Sequence, residues 1–221
     1  MNSKIILLIV FVATTGLFSC KKNGEEIGTV TQNEITLINA GGDTLNVYEN
    51  GTRLNNGSTL LPSGQYRNLE IIAGDQHYQF KKAGSPNALF DIGLNFDFSS
   101  SYTLFVAGQS ADKVFVLRDT VVRDTLGSAY VRYVNASPDV GDIDFTIGSL
   151  PTVKNLPFKS ATSFLSVPAG KVFYAMVKGG TDTIAAGTLT FNSGVAYNLF
   201  TKGLVDGKGT TALGARVLIA Q

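Results

Sequence analysis

The chain has 221 residues, and its 18 lysines and arginines nearly balance its 17 aspartates and glutamates, for a formal net charge of +1. Because no segment is rich in basic residues, the charge pattern does not indicate a nucleic-acid-binding surface. A single cysteine excludes an intramolecular disulfide and a zinc site built from several thiolates. We therefore expect the fold to be stabilised by burial of apolar side chains.

The first 19 residues follow the plan of a signal peptide. A short start that carries Lys4 precedes an apolar stretch from Ile5 to about Phe18. This stretch has roughly 14 residues, whereas a helix that spans a bilayer needs about 20, so it is too short for a permanent anchor. We expect residues 1–19 to be removed from the mature protein.

The only cysteine, Cys20, follows Leu17, Phe18 and Ser19, and together these residues resemble a bacterial lipobox. The resemblance implies cleavage before Cys20 and attachment of lipid to its sulfur and its new amino terminus. One acyl chain binds a membrane only marginally, whereas two or more chains anchor a protein stably. The alternative is a secreted protein in which Cys20 is an ordinary residue of the signal peptide.

Residues 20–33 are predicted to form the lipidated cysteine and a flexible tether, because they are polar and show no apolar periodicity. Glu25 and Glu26 resemble the acidic export signals of surface-exposed lipoproteins in Bacteroidetes, and Lys21 and Lys22 depart from that pattern. We expect a lipid-anchored protein of the cell envelope, at the outer membrane. Both the periplasmic face and the cell surface remain open.

The rest of the chain contains a tandem repeat. Three segments of the first half recur in the same order about 96 residues later. The pairs are 34–51 with 130–148, 69–84 with 164–180, and 102–108 with 197–203. A nearly constant spacing over three segments indicates a duplication. We predict a first domain at 34–120, a linker at 121–128 and a second domain at 129–221.

Each repeat has the signature of short strands. Residues 131–134, 171–177 and 195–200 are rich in β-branched and aromatic residues, and clusters of Gly, Asn, Asp, Ser and Pro separate such segments. Ala73-Gly74 and Pro168-Ala169-Gly170 are predicted to form tight turns between two strands. The sequence therefore predicts an all-β fold of two tandem antiparallel immunoglobulin-like β-sandwich domains, after a lipoprotein signal peptide.

Three motifs stand out in the second repeat: YVNASPD at 133–139, SFLSVPAGKVFYAMV at 163–177 and GVAYNLFTKG at 194–203. Together they resemble the bacterial lipoprotein family catalogued as domain of unknown function 4397, in which a "VPAGxY"-like hairpin follows the Ala-Ser-Pro-Asp turn. In the first repeat, AGGD at 40–43 replaces that turn. The resemblance covers residues 34–221. It implies the fold and the envelope location, and it implies no activity.

The sequence contains no recognisable catalytic set. His77 is the only histidine, it lies in a strand-like stretch, and the chain has no G-x-S-x-G motif that would place a nucleophile. One histidine also cannot build a typical zinc site. We therefore predict a protein that is not an enzyme, and we assign it no catalytic residue and no cofactor.

Four residues are weak candidates for binding. Asp139, Asp142 and Asp144 lie within six residues of one another, a spacing that can supply carboxylates to calcium. In the alternative, Asp139 accepts hydrogen bonds from backbone amides of its turn and the other two face solvent, and we predict no metal site. Tyr66 is the tyrosine with the best prospect of exposure as a platform for a sugar ring.

Two functions follow from these observations. In the first, a lipid anchor on Cys20 holds a non-enzymatic spacer, interaction or adhesion module, whose loops or sheet edges bind a protein or glycan. In the second, the protein is a carbohydrate-binding accessory lipoprotein of a polysaccharide-uptake system. Neither function involves nucleic acid.

Overall fold

The computed structural model describes residues 31–220, except for residues 61, 63 and 122–126. The predicted signal peptide, the lipidation site Cys20 and the tether up to residue 30 lie outside the described residues. From Thr31 onward the chain packs as one compact unit. Within the described part, no helix has the length and apolar character needed to cross a membrane.

The first repeat forms eight strands in two four-stranded sheets. The strands are β1 (Gln32–Asn39), β2 (Leu45–Glu49), β3 (Thr52–Arg53), β4 (Gln65–Ile72), β5 (Gly74–Lys82), β6 (Ala88–Phe96), β7 (Tyr102–Val106) and β8 (Val114–Arg118). We call the sheet with order β4-β1-β7-β8 sheet A, and the sheet with order β3-β2-β5-β6 sheet B.

The second repeat forms the same eight strands in the same arrangement. They are β9 (Ser128–Val134), β10 (Ile143–Ile147), β11 (Val153–Leu156), β12 (Leu165–Pro168), β13 (Gly170–Lys178), β14 (Asp182–Phe191), β15 (Ala196–Lys202) and β16 (Gly214–Ile219). Sheet C has the order β12-β9-β15-β16, and sheet D has the order β11-β10-β13-β14. The prediction of an all-β fold with tandem β-sandwiches is confirmed. The domain boundaries at 34–120 and 129–221 stay predictions.

One strand pair in each repeat is parallel, which the sequence prediction did not include. β1 pairs with β7, and β9 pairs with β15, in parallel register. A parallel neighbour requires a long crossover connection. Here the chain passes through both sheets between β1 and β7, so the intervening strands supply that connection. The remaining strand pairs within the four sheets are antiparallel.

The tight turns predicted at Ala73-Gly74 and Ala169-Gly170 are corners between sheets. β4 belongs to sheet A and β5 to sheet B, and only Ala73 lies between them. Gly74 has a φ of 90° and Gly170 a φ of 107°, values that favour glycine. The strands on either side of each corner pair with different partners. The tight turns between two strands are therefore observed, whereas the hairpin that the family resemblance implied at Pro168-Ala169-Gly170 is wrong.

Each sandwich has its own core, filled by alternate residues of its two sheets. In the first core, Phe96 contacts Tyr78 and Tyr102 edge-on, with ring centroids 5.9 and 5.2 Å apart. In the second core, Phe191 and Tyr197 occupy the places of Phe96 and Tyr102, with centroids 4.9 Å apart. Edge-on aromatic pairs add about 0.5–1.5 kcal/mol beyond burial. The duplication has thus kept the same core contact in both repeats.

The central strands of sheets A and C are buried on both faces. Every residue of β7 and of β9 is buried. One face of sheet A covers the first core, and the other face contributes Ile38, Phe105 and Phe115 to a cluster that also contains Val134 and Phe200 of sheet C. The four sheets therefore stack in the order B, A, C, D, with a third apolar core between the two sandwiches.

The contact between sheets A and C has approximate two-fold symmetry. Phe105 and Phe200 occupy the same place in the two repeats, and their rings meet edge-on at 5.5 Å. Thr103 and Asn198 are likewise equivalent, and Asn198 Nδ2 donates to Thr103 Oγ1 at 3.2 Å. A residue that contacts its own counterpart lies on the symmetry axis of an isologous interface. The two repeats therefore pack like the halves of a symmetric dimer.

A buried ion pair lies beside this axis. Arg132 Nη2 donates to Asp119 Oδ1, and the two side chains are 5% and 0% exposed. Arg132 also donates from Nε to Asn198 Oδ1 at 2.8 Å and from Nη1 to the carbonyl oxygen of Arg118 at 3.0 Å. Thr103 Oγ1 donates to Asp119 Oδ2 at 2.7 Å. Both charged groups are thus hydrogen-bonded as well as paired.

The ion pair departs from the two-fold symmetry. The position equivalent to Arg132 is Thr36, and the position equivalent to Asp119 is Ala220, as the strand registers show. Burial raises the pKa of the Asp119 carboxyl, and Arg132 and the Thr103 hydroxyl oppose that rise. Removal of one partner would leave the other charge buried without compensation, which costs far more than the pair itself contributes.

We expect Arg132→Thr to lower the free energy of unfolding by about 3–5 kcal/mol, because it leaves Asp119 buried without its ion partner. The double variant Arg132→Thr/Asp119→Ala carries the residues of the equivalent positions, and we expect it to recover most of this loss. Urea denaturation of the wild type, both single variants and the double variant measures the coupling. Strictly additive losses would show that the two charges do not interact.

Candidate functional site

The three aspartates predicted as calcium candidates serve different loops. Both carboxylate oxygens of Asp139 accept from the backbone N–H of Val205, at 3.2 and 3.1 Å. Asp144 Oδ1 accepts from the backbone N–H of Asn155 at 2.8 Å, and Asp142 is exposed. Over the described ranges, no group of three or more His, Cys, Asp or Glu side chains is placed to hold a metal ion. Asp139 ties two loops together, where we expected bonds within its own turn.

Tyr66 and His77 lie on separate surfaces. Tyr66 is 50% exposed on the edge strand β4, opposite Ile38 of β1. His77 is exposed on β5, opposite Gly93 of β6, on the outward face of sheet B. The exposure expected for Tyr66 is thus observed. Among the residues that the structure describes, His77 forms no metal-binding group with the aspartates.

A cavity of about 440 Å³ lies between the two repeats, at one end of the contact between sheets A and C. The central strands β1, β7, β9 and β15 all end here, and the loops that follow them form the walls. The polar lining residues are Asn39, Asp43, Gln109, Ser110, Lys113 and Thr211. The apolar side chains in the lining are Leu45, Ala107, Pro138 and Leu204. The cavity needs both repeats, since the second one contributes Pro138, Leu204 and Thr211.

Buried asparagines hold the turns at the cavity. Asn39 Nδ2 donates to the carbonyl oxygen of Asp43 at 2.6 Å, and its equivalent Asn135 donates to that of Gly141 at 2.8 Å. Both asparagines are almost fully buried. An amide side chain bonded to the backbone in this way replaces the pairing that the turn cannot make for itself. Asn39-Ala40 and Asn135-Ala136, which stand at equivalent positions of the two repeats, therefore mark a structural element.

Two glycines shape the first-repeat wall. A Cβ atom on Gly41 would approach the carbonyl carbon of Ala107 to 3.1 Å, so a side chain at this position would push the two loops apart. A Cβ atom on Gly42 would lie 3.7 Å from Leu204 Cδ1 and 3.8 Å from Thr211 Cγ2. These are ordinary contact distances. The turn at Gly42 therefore lies close to the opposite wall, with room for about one methyl group between them.

The second repeat carries larger residues at the equivalent positions. Ser137 and Pro138 stand where the first repeat has Gly41 and Gly42. In the sequence, this change was visible only as the replacement of the Ala-Ser-Pro-Asp turn by AGGD. Its structural consequence is that the first-repeat turn lines the cavity without a side chain at Gly41 or Gly42. Comparison of the two repeats at these positions is the sequence signal that could have located the cavity.

The carboxylate of Asp43 is fixed and ionised. Lys82 Nζ lies 2.9 Å from Asp43 Oδ1, and Gln109 Nε2 donates to Asp43 Oδ2. Burial by itself would raise the pKa of Asp43, but the bonds from Lys82 and Gln109 outweigh it and hold the pKa below its usual value. Asp43 is therefore a hydrogen-bond acceptor at neutral pH and is unsuited to donate a proton.

Lys113 supplies the positive charge of the lining. Its ammonium lies 5.3 Å from the centre of the Phe158 ring, which belongs to the second repeat, and 3.5 Å from Asp112 Oδ2. Asp43 and Lys113 are the acidic and basic residues among the described lining residues. The cavity therefore combines fixed hydrogen-bonding groups with balanced charge.

The chain matches the family model described as Domain of unknown function (DUF4397) in two segments, residues 33–146 and 129–217. The segments overlap at residues 129–146, and together they cover most of the chain. The resemblance inferred from the three motifs is confirmed, and it extends to both repeats.

No curated protein matches the chain in sequence. Among solved structures, the chain is similar to CBMbc, a family CBM26 module of Eubacterium rectale Amy13K that was crystallised with maltoheptaose. The sequence identity is 11%, the TM-score is 0.28, and the alignment covers 86% of this chain and 98% of that module. A similarity of this size carries no conclusion about the ligand of this chain.

We expect the bonds to Asp43 to make stability depend on pH in acid. Because the pKa of Asp43 is lower in the folded state, its contribution is complete above about pH 4 and is lost as the pH falls through the folded-state value. The free energy of unfolding of Asp43→Asn should therefore fall less between pH 5 and pH 2 than that of the wild type. Urea denaturation over this range tests the difference. The matched control is Asp142→Asn, at an exposed position, which should follow the wild type; equal slopes for all three proteins would contradict the role of Asp43.

Proposed function

The chain belongs to the DUF4397 family, and from that premise we propose that it is a lipid-anchored protein of the cell envelope whose two β-sandwiches form one rigid, non-enzymatic interaction module. Lipid on Cys20 would hold it at the outer membrane, facing the periplasm or the cell surface. The loops at the shared end of the repeats would bind the partner.

The observation that carries this proposal is the contact between sheets A and C. Central strands that are buried on both faces cannot separate without exposing an apolar core, so the two repeats keep a fixed orientation. The cavity is lined from both sides of this contact. Because both repeats line the cavity, it exists only when they are stacked on each other. This favours a function of the two repeats together over separate functions of the single repeats.

The chemistry of the cavity supports binding over catalysis. A general acid or base needs a group whose pKa lies near the working pH. Asp43 is ionised and engaged by Lys82 and Gln109, and the described lining includes no histidine. Turnover of a peptide or glycan by the purified protein, abolished in one carboxylate variant, would overturn this part of the proposal.

The position of Cys20 suits a membrane tether. Cys20 precedes the first residue of β1, Gln32, by a segment that spans at most about 40 Å when extended. Three acyl chains on the cysteine would anchor the protein stably, whereas one chain would not. The folded repeats would then lie close to the membrane surface.

A carbohydrate-binding accessory lipoprotein of a polysaccharide-uptake system is the second candidate. The cavity favours it through its mixture of polar and apolar lining residues, which is the usual composition of small-ligand sites. It shares the anchor and the rigid module with the first candidate and differs in the ligand.

We expect Cys20→Ala to abolish incorporation of radiolabelled palmitate in the native host, because the acyl chains have no other attachment site in the lipobox. The variant should also leave the membrane fraction. Ser19→Ala keeps a small residue before the cysteine and serves as the matched control, with unchanged labelling. Labelling that persists in Cys20→Ala, or a wild-type protein that takes up no palmitate, would contradict the anchor.

We further expect chemical cross-linking on intact cells, followed by purification of the lipidated protein, to recover an envelope protein together with any glycan that it carries. Because the proposed contact lies at the loops around the cavity, a lysine-reactive cross-linker should capture it through Lys113. Loss of the product in Lys113→Arg would support this contact, and equal recovery with the control Lys171→Arg shows that the loss is local. A product that does not depend on Lys113 would place the contact elsewhere.

A further inference from the structure

We propose that the cavity between the repeats binds the terminal sugar units of a neutral glycan. The inference rests on the proposed function, since it assigns a ligand class to the same site. It depends on three properties of the cavity, which are its space, its hydrogen-bonding groups and its position among the loops.

The space is suited to a small rigid ligand. A cavity of about 440 Å³ falls within the range of roughly 300–1,000 Å³ typical of ligand pockets. Gly42 lines the cavity opposite Leu204 and Thr211, where a Cβ atom would already reach contact distance, so a larger side chain would narrow the cavity. Gly42 does not adopt the left-handed backbone that would itself require glycine.

The polar groups match adjacent hydroxyls, each of which both donates and accepts. Asp43 is an ionised acceptor, already fixed in place by Lys82 and by Gln109. The bond to Asp43 orients the Gln109 carboxamide, whose oxygen can accept and whose nitrogen has a second hydrogen to donate. Such a fixed pair of acceptor and donor needs little ordering when a ligand binds, which favours affinity.

Lys113 and Ser110 extend this set from the same loop. The ammonium of Lys113 has three hydrogens to donate, and the Ser110 hydroxyl, which donates to the Asp112 carboxylate, has an oxygen that can accept. Both side chains line the cavity together with Gln109. The first-repeat wall is thus the polar wall.

The second-repeat wall is more apolar. Pro138 and Leu204 line it, and Asp139 joins their loops through its bonds to the backbone N–H of Val205. A sugar ring has an apolar C–H face and a rim of hydroxyls. It can therefore lie against Pro138 and Leu204 while its hydroxyls face Asp43 and Gln109.

Charge and position favour a neutral glycan over other ligands. Asp43 is paired with Lys82 and Lys113 lies beside Asp112, so the described lining offers no excess charge to a phosphate or an acidic sugar. One common way to bind an extended peptide is pairing with a free sheet edge. The cavity lies instead among loops that follow the central strands of sheets A and C, away from their edges.

Isothermal titration of the full-length protein in detergent tests the inference. The probes are neutral oligosaccharides of two to six units built from glucose, galactose, mannose or xylose. We expect at least one of them to bind the wild type. Gly42→Val places a side chain in the cavity, and Gln109→Ala removes the oriented carboxamide; each should weaken binding at least tenfold.

Gly93→Val is the matched control for the filling variant. It adds the same side chain on β6, where a Cβ atom meets nothing within 4 Å, and binding should be unchanged. Gln109 is exposed, so Gln109→Ala tests the site even if Gly42→Val destabilises the protein. Melting temperatures of all three variants identify any loss of binding that is due to unfolding.

Two results would overturn the inference. One is a complete lack of binding across the neutral panel, or selective binding of a charged oligosaccharide or a peptide instead. The other is binding that Gly42→Val and Gln109→Ala leave intact, which places the sugar elsewhere. Palmitate labelling tests the anchored module independently. If it succeeds while the panel fails, only the ligand class is wrong. If it fails, the lipid anchor of the proposed function falls whatever the titration shows.

Discussion

The burial of the outer faces of sheets A and C against each other is the constraint on which the rest of the structure depends. A β-sandwich ordinarily exposes the outer faces of its sheets to water, and polar side chains cover them. Here Phe105 and Phe200 meet in a third core, and the strands that carry them have apolar residues on both sides. The two sandwiches therefore stabilise each other, and the position of every loop at their shared end follows from this contact.

The buried ion pair explains why the two repeats pair with each other. In an exactly symmetric contact between two second repeats, two copies of Arg132 would be buried without a carboxylate. Two first repeats would bury two copies of Asp119 without a guanidinium. Both arrangements leave uncompensated charge, whereas the mixed pair neutralises it. A departure from symmetry at two positions thus converts a contact of the symmetric-dimer type into one that is specific for the two halves of this chain.

The cavity is a second departure from the two-fold symmetry, because the equivalent turns of the two repeats carry different residues there. Where the second repeat has Ser137 and Pro138, the first repeat has two glycines, and its turn lines the cavity without side chains at these positions. The backbone of each turn is nevertheless held by a side-chain hydrogen bond, from Asn39 in the first repeat and from Asn135 in the second. Duplication produced two equivalent turns at one end of the contact. Because their sequences have since diverged, the first-repeat wall of the cavity is polar and the second-repeat wall is more apolar.

The residues by themselves determined the class of fold and its duplication, because strand-forming segments and turn residues act locally and recur at a constant spacing. They also determined which residues resemble a lipobox and the DUF4397 motifs. Only the tertiary structure decided that Ala73-Gly74 forms a corner, that β7 runs parallel to β1, and that Arg132 pairs with Asp119. It also decided that Gly42, Gln109 and Leu204 share one cavity. Each of these features depends on contacts between residues far apart in the chain, and a local sequence pattern does not predict such contacts. Gly42 and Leu204, for example, meet only because two sheets from different repeats bury their faces against each other.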